Sequence, residues 1–145
     1  MKQIAIFVVF SICISIGSVA AQDGEPQTGS SGLGDSYFAD IGNGGYDAEH
    51  YTINLTWDDQ TNEIAGSTTV LAKANVDLSG FNLDFLGFEI EHVLVDGEDA
   101  VFTREARELV ITPETPLRQD ETFEVIVSYS GVPGAGVEDF YDVFA

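Results

Sequence analysis

Two histidines, two acidic turns and two glycine-rich turns are the parts of this sequence whose residue types could do chemistry. A zinc hydrolase brings two imidazoles to one metal, commonly from two His four apart on a helix with a Glu between them. Here His50 is followed by Tyr51 and His92 by Val93, and 42 positions separate the two. Glu49 beside His50 and Glu89 near His92 do not supply the spacing, so both histidines are expected on the polar faces of strands. Asp58-Asp59-Gln60-Thr61-Asn62 and Asp96-Gly97-Glu98-Asp99 carry oxygens of the kind that hold calcium. Neither has the full spacing of a calcium loop, and turn formation through Asx side chains is the expected use of both. Asn43-Gly44-Gly45 and Gly131-Val132-Pro133-Gly134 are rich in glycine but precede no helix, which phosphate cradling would need. No Gly-x-Ser-x-Gly elbow is present. The sequence therefore assigns no catalytic, metal-binding or substrate-binding residue.

The elements around these residues alternate with period two. In Tyr51-Thr52-Ile53-Asn54-Leu55-Thr56-Trp57 the odd positions are apolar and the even ones polar, which predicts a strand with one buried face. After the Asp58–Asn62 turn, Ile64, Gly66, Thr68, Val70, Ala72 and Ala74 share a face of a second strand. Small residues there call for a bulky partner, Trp57 or Phe81. Residues 81–85 alternate again, and 88–95 continue after Gly87 to Asp96-Gly97, a strong hairpin dipeptide. Residues 100–103 and 109–112 predict two short strands around a charged turn, Arg104-Glu105-Ala106-Arg107. Phe123, Val125, Val127 and Tyr129 make a final strand face. No useful length of helical periodicity occurs. Seven to eight short strands predict an all-β fold, an antiparallel β-sandwich or saddle-like pair of sheets.

The ends differ in kind. Residues 1–21 have the build of a signal peptide: Lys2, an apolar run over 4–16, and small residues Ser18-Val19-Ala20-Ala21 around a cleavage point after Ala20 or Ala21. The apolar run is short for a membrane span. Cleavage would remove Lys2 and Cys13 and leave no cysteine, so no disulfide would staple the fold. Residues 22–36 are rich in Gly, Ser and Pro and read as a disordered linker. Residues 37–132 form the β domain. Residues 133–145 read as the start of an unfinished element, with Phe140, Tyr141 and Phe144 in it.

The chain has 145 residues and a formal charge of −20, with 25 acids against 5 bases. Such a surface repels phosphate backbones and offers no basic cluster to release counterions, which argues against nucleic acid as a partner. Anionic membrane surfaces are disfavoured for the same reason, so no membrane association is expected after signal cleavage. Acidic excess also suits a high-salt medium, where screening relieves the repulsion. A melting temperature that failed to rise between low and molar potassium chloride would remove that idea.

The same residues carry a family resemblance. Gly42-Asn43-Gly44-Gly45-Tyr46-Asp47, then His50-Tyr51 leading into Ile53-Asn54-Leu55, resembles the opening of the N-terminal domain of M1 (gluzincin) zinc aminopeptidases, most of all the secreted bacterial type. Ile64-Ala65-Gly66-Ser67-Thr68 is similar to the family's second strand. Leu78-Ser79-Gly80-Phe81-Asn82-Leu83-Asp84 resembles its "L-x-x-F-x-L-D" strand. Val93-Leu94-Val95-Asp96-Gly97 resembles its hairpin, Glu108-Leu109-Val110-Ile111-Thr112-Pro113 the strand after it, and Val127-Ser128-Tyr129-Ser130-Gly131 the strand ending in "Y-x-G". The pieces are individually weak, but they occur in the right order.

The resemblance implies a β-saddle that covers one side of a separate catalytic domain. In that family the parent enzyme removes N-terminal amino acids from peptide substrates with one zinc, held by an H-E-x-x-H helix and a later Glu, while G-x-M-E-N holds the free amine. Neither motif occurs here. Zinc thus belongs to the parent family and no cofactor is expected in this chain, which should be inactive alone. The expected partner is the missing catalytic domain, the expected location secreted, extracellular or periplasmic, and the expected sheet surface carries an apolar patch where that domain packs. The alternative is a stand-alone secreted β-sandwich for binding or adhesion, with polar outer faces.

Overall fold

A computed structural model of the chain describes residues 24–34, 36–37 and 42–134. Residues 1–21, read above as a signal peptide, and residues 135–145, read as the start of an unfinished element, lie outside the described residues. Among the latter there are nine strands and no helix: β1 (Gln27–Thr28), β2 (Tyr46–Asp58), β3 (Glu63–Ala74), β4 (Leu78–Asp84), β5 (Glu89–Val95), β6 (Glu98–Asp99), β7 (Val101–Glu105), β8 (Glu108–Thr112) and β9 (Thr122–Gly131). They form a sheet of order β1-β4-β8-β7 and a larger sheet of order β2-β3-β9-β5-β6. The all-β sandwich expected from the alternation is the observed fold.

The two sheets meet over one core. From the larger sheet come Val70, Ala72, Val93, Val95, Phe123, Val125 and Val127, and from the smaller one Phe81, Leu109 and Ile111. Ala72 and Ala74 leave room for aromatic bulk: Phe81 sits 5.3 Å from Phe123 and 5.7 Å from Tyr46, ring centre to ring centre. Phe81 is thus the bulky partner that the small residues of β3 called for. Trp57 is not; it lies at the far end of the hairpin, opposite Ile64.

The β2–β3 hairpin holds an irregularity that alternation alone hides. A bulge between Ala48 and His50 places an extra residue in β2, and a bulge reverses which parity faces inward. Tyr46 and Ala48 therefore share the inner face with Tyr51, Ile53, Leu55 and Trp57. The last four lie directly opposite Val70, Thr68, Gly66 and Ile64, and paired residues point to the same side of a sheet. The expectation of an inward apolar face on residues 51–57 holds; the expectation that it is buried does not. Tyr51, Ile53, Leu55 and Trp57 are 55%, 60%, 56% and 62% exposed. The strands β4 and β8 of the smaller sheet, 7 and 5 residues long, are shorter than the 13 and 12 of β2 and β3.

Residues 24–34, read from composition as part of a disordered linker, are also a correction. Gln27 and Thr28 add a parallel strand to β4, with Gln27 N donating to Asp77 O and Gly29 N donating to Gly80 O, both at 2.9 Å. No apolar side chain is needed for this. At Gly29 a Cβ would collide with Gly44 O, so glycine serves close backbone approach here rather than freedom. The Asp96-Gly97 turn matches expectation: both residues have positive φ, 51° and 84°, as the tight hairpin turn requires.

Candidate functional surface

At one end the sandwich stays open. A trough of about 650 Å³ lies between the sheets, with Tyr46, Tyr51, Phe85, Phe88, Val127 and Tyr129 in its walls. Its aromatic wall is built from both layers. Phe85 and Phe88 pack on Tyr129 at 5.5 and 5.4 Å, and Tyr129 Oη lies 3.1 Å from Thr68 Oγ1. The loop carrying Phe85 and Phe88 is clamped by Arg104, whose Nη1 donates to Phe88 O (2.7 Å) and Nη2 to Phe85 O (3.2 Å). Its guanidinium also lies 5.2 Å from the centre of the Phe85 ring. Arg104, read from sequence as one charge in a turn, is the last strand residue but one of β7, and the turn narrows to Ala106-Arg107.

A polar rim borders the trough. Gly42 N donates to Asp84 Oδ2 at 3.3 Å. With its amide turned to satisfy both neighbours, Asn43 donates to Glu108 Oε2 (2.9 Å) and accepts from Asp84 N (3.2 Å). Partial burial, and then the Asp84 charge, raise the Glu108 carboxyl above its ordinary pKa; Arg107 and the Asn43 hydrogen bond oppose the shift. Burial also pushes the Tyr46 phenol well above its usual range, with Tyr51, Asp84 and Glu108 adding to it. That phenol stays protonated and donates to Asn82 O at 2.8 Å. The rim offers negative charge and hydrogen bonds, not an activated nucleophile.

The sequence candidates do not converge. His50 pairs with Leu71 on β3, and His92 with Ser128 on β9, so the two histidines sit on β2 and β5, three strand spacings or about 14 Å apart across the sheet. His92 Nε2 instead meets Asp99 Oδ1 at 2.9 Å on the surface. Among the described residues no three His, Cys, Asp or Glu side chains gather as a metal would need. The described residues therefore do not fit a zinc site. In the first acidic turn Asp58 Oδ1 accepts from Gln60 N (2.8 Å) and Thr61 N (3.4 Å), which is the Asx use expected. In the second, Asp96 Oδ1 accepts from Glu124 N at 2.8 Å and ties the hairpin to β9. Gly44 N donates to Ser30 O, fastening residues 24–34 to the domain. Sequence reasoning missed the rim, because Asn43, Asp84 and Glu108 come from three separate segments that only the pairing of β4 with β8 assembles.

No protein-family model matches the sequence, and no curated protein matches it. Solved structures do. The M1 zinc metallopeptidase of Deinococcus radiodurans is 29% identical, with a TM-score of 0.63 over 70% of this chain and 24% of that one. A mutant of that peptidase bound to a Tyr-Ser-Ala substrate matches equally well. Leukotriene A4 hydrolase of Saccharomyces cerevisiae shares the fold at 21% identity, with a TM-score of 0.51 over 61% of this chain and 15% of that one. This chain spans about a quarter of the bacterial peptidase's length. Its described β-sandwich is similar to the N-terminal region of M1 zinc metallopeptidases.

Proposed function

We propose that this chain supplies the non-catalytic N-terminal β domain of a secreted M1 zinc aminopeptidase. The match to the Deinococcus peptidase carries the reading: 29% identity with a shared fold, over strands whose motifs follow the family's order. The zinc, its ligands and the peptide substrate then belong with a catalytic domain that this sandwich flanks. Residues 1–21, with their apolar run and small-residue cleavage point, support export. The alternative, a stand-alone secreted binding or adhesion module, predicts an independently stable monomer with polar outer faces, and aggregation of the purified chain would count against it.

Reading the coding sequence past the Ala145 codon is the direct test. A frame that continues into H-E-x-x-H and G-x-M-E-N supports the proposal; a continuation without either motif, or a stop, sinks it. Export has its own check. N-terminal sequencing of the secreted protein should begin at Ala21 or Gln22, and an intact Met1 end would remove the signal-peptide reading.

A further inference from the structure

Three carboxylates stand in one row across the smaller sheet. Asp84 on β4 pairs with Glu108 on β8, and Glu108 pairs with Glu105 on β7. Paired residues point to the same side of a sheet, and like charges directly opposite each other are destabilising. Leu109 and Ile111 of β8 are buried in the core, so by alternation Glu108 and Val110 face outward. Arg107 does not neutralise the row, since partial burial and the Asp84 charge outweigh it at Glu108. Asn82 pairs with Val110 and shares this outer face. It is only 6% exposed, and among the described residues nothing partners its Oδ1. A buried amide oxygen left unpaired costs free energy that packing does not return.

A wall stands beside this face. β1 runs parallel to β4, and the residues after it stay along the same edge. Gly29 N donates to Gly80 O and Gly44 N to Ser30 O, both at 2.9 Å. Between wall and sheet lies an open cleft of about 810 Å³, with Asn82, Glu105, Glu108 and Val110 on the sheet side and Ser30 and Ser31 on the other. Ser30 Oγ donates its one proton to Gly32 O at 2.8 Å, so it has only lone pairs left to offer. The carboxylates and Asn82 Oδ1 are acceptors too. Among the described residues no Lys, Arg or His lines the cleft.

A cleft of acceptors calls for a ligand made of donors. A divalent metal is the poorer occupant, because no three acidic side chains gather as one would need among the described residues. A quaternary cation has the charge but no N–H for the unpartnered amide oxygen. A primary ammonium has the charge and three N–H donors, and an alkyl stem behind it can lie along the apolar Val110.

We propose that this cleft binds a primary alkylammonium group, held by Asn82 Oδ1 and the carboxylates of Glu105 and Glu108. The group is that of a small free amine or of a lysine side chain. The site rests on the described sandwich alone and stands whether or not the peptidase assignment does.

Amide NMR of the full chain, titrated with n-butylammonium chloride in about 0.15 M salt to screen its long-range charge, is the test. The signals of Ser30, Asn82, Glu105 and Glu108 should move, the Asn82 side-chain amide among them. Tetramethylammonium should leave them in place. Asn82→Leu should weaken butylammonium binding about tenfold. Glu105→Gln changes an exposed side chain and should weaken it about threefold, which keeps the test open if Asn82→Leu fails to fold. Asp58→Asn/Asp59→Asn, in the turn between β2 and β3, should change nothing. Nα-acetyl-lysine methylamide separates the two sources: tighter binding than butylammonium assigns the site to a lysine side chain, equal binding to a free amine. The proposal is overturned by no response, by shifts spread over the whole acidic surface, or by an equal response to tetramethylammonium. Calcium chloride moving the same signals at lower concentration than butylammonium also overturns it, in favour of a metal.

Discussion

The two ends of the β2–β3 hairpin follow one rule and meet different fates. At one end Tyr46 and Ala48 face Ala74 and Ala72, and Phe81 of the smaller sheet closes over them beside Phe123. At the other end Ile53, Leu55 and Trp57 alternate just as regularly on the same inner face but remain more than half exposed. Alternation states which face of a strand is apolar. Whether that face is buried depends on how far the opposing layer extends, and the opposing strands β4 and β8 are 7 and 5 residues long against 13 and 12 for β2 and β3. Among the described residues the hairpin is longer than the strands opposite it.

Substitutions at the two ends should separate them. Phe81→Ala removes a fully buried ring from the centre of the aromatic cluster and should destabilise the fold by about 4 kcal/mol. Leu55→Ala should cost about 1 kcal/mol, since its side chain is covered on one side at most. Urea denaturation measures both. Equal losses would mean that the two ends are packed alike, and the comparison would fail. Gly66→Val falls between them. Its branched side chain would press on Leu55 and on the carbonyl of Asn54, and overpacking of this kind costs about 2 kcal/mol. A neutral Gly66→Val would show that the far end of the hairpin is loose enough to spread.

The same contrast explains what the sequence made legible. The strands from β2 to β9 other than β6 could be read because a half-buried sheet imposes period two, and the Asp96-Gly97 turn because positive φ at both positions selects those residues; the two residues of β6, Glu98 and Asp99, read instead as part of that turn. The bulge at Ala48–His50 could not, although the switch from apolar even positions to apolar odd ones is its trace. Nor could β1: its glycine and serine look like a linker, and only the edge of β4 shows that backbone contact is their purpose. Of the candidate surface, Tyr129 was visible as a strand residue, while Phe85 and Phe88, read as strand residues, lie in the loop between β4 and β5. Their convergence, and the rim of Asn43, Asp84 and Glu108, depend on pairing between distant segments, which no local pattern encodes.

At the trough between the two ends, Tyr129→Phe removes the hydroxyl that meets Thr68 Oγ1. The pair is only partly buried, so the loss should be about 1 kcal/mol. Adding Thr68→Val in a double-mutant cycle would isolate the bond, and strict additivity of the two substitutions would show that it contributes nothing.

The smallest expected effect lies on the rim, where pH replaces packing as the variable. The Glu108 carboxyl is raised by partial burial and then by Asp84, so its folded form holds a proton more tightly than its unfolded form. Its contribution to stability is full below the unfolded value, about 4.3, and is lost as pH rises through the higher folded one. At neutral pH the ionised carboxylate faces Asp84 at a cost that a neutral side chain would avoid, and Gln can still accept from Asn43. Glu108→Gln should therefore melt slightly higher than the unaltered chain at pH 7, and the difference should vanish below pH of about 4, where both side chains are neutral. Comparing the two proteins at each pH cancels the titration of the other acids. A gain that persists unchanged into acid would place its origin in packing at the rim rather than in the charge, and would leave the trough with no electrostatic distinction from the apolar row beyond it.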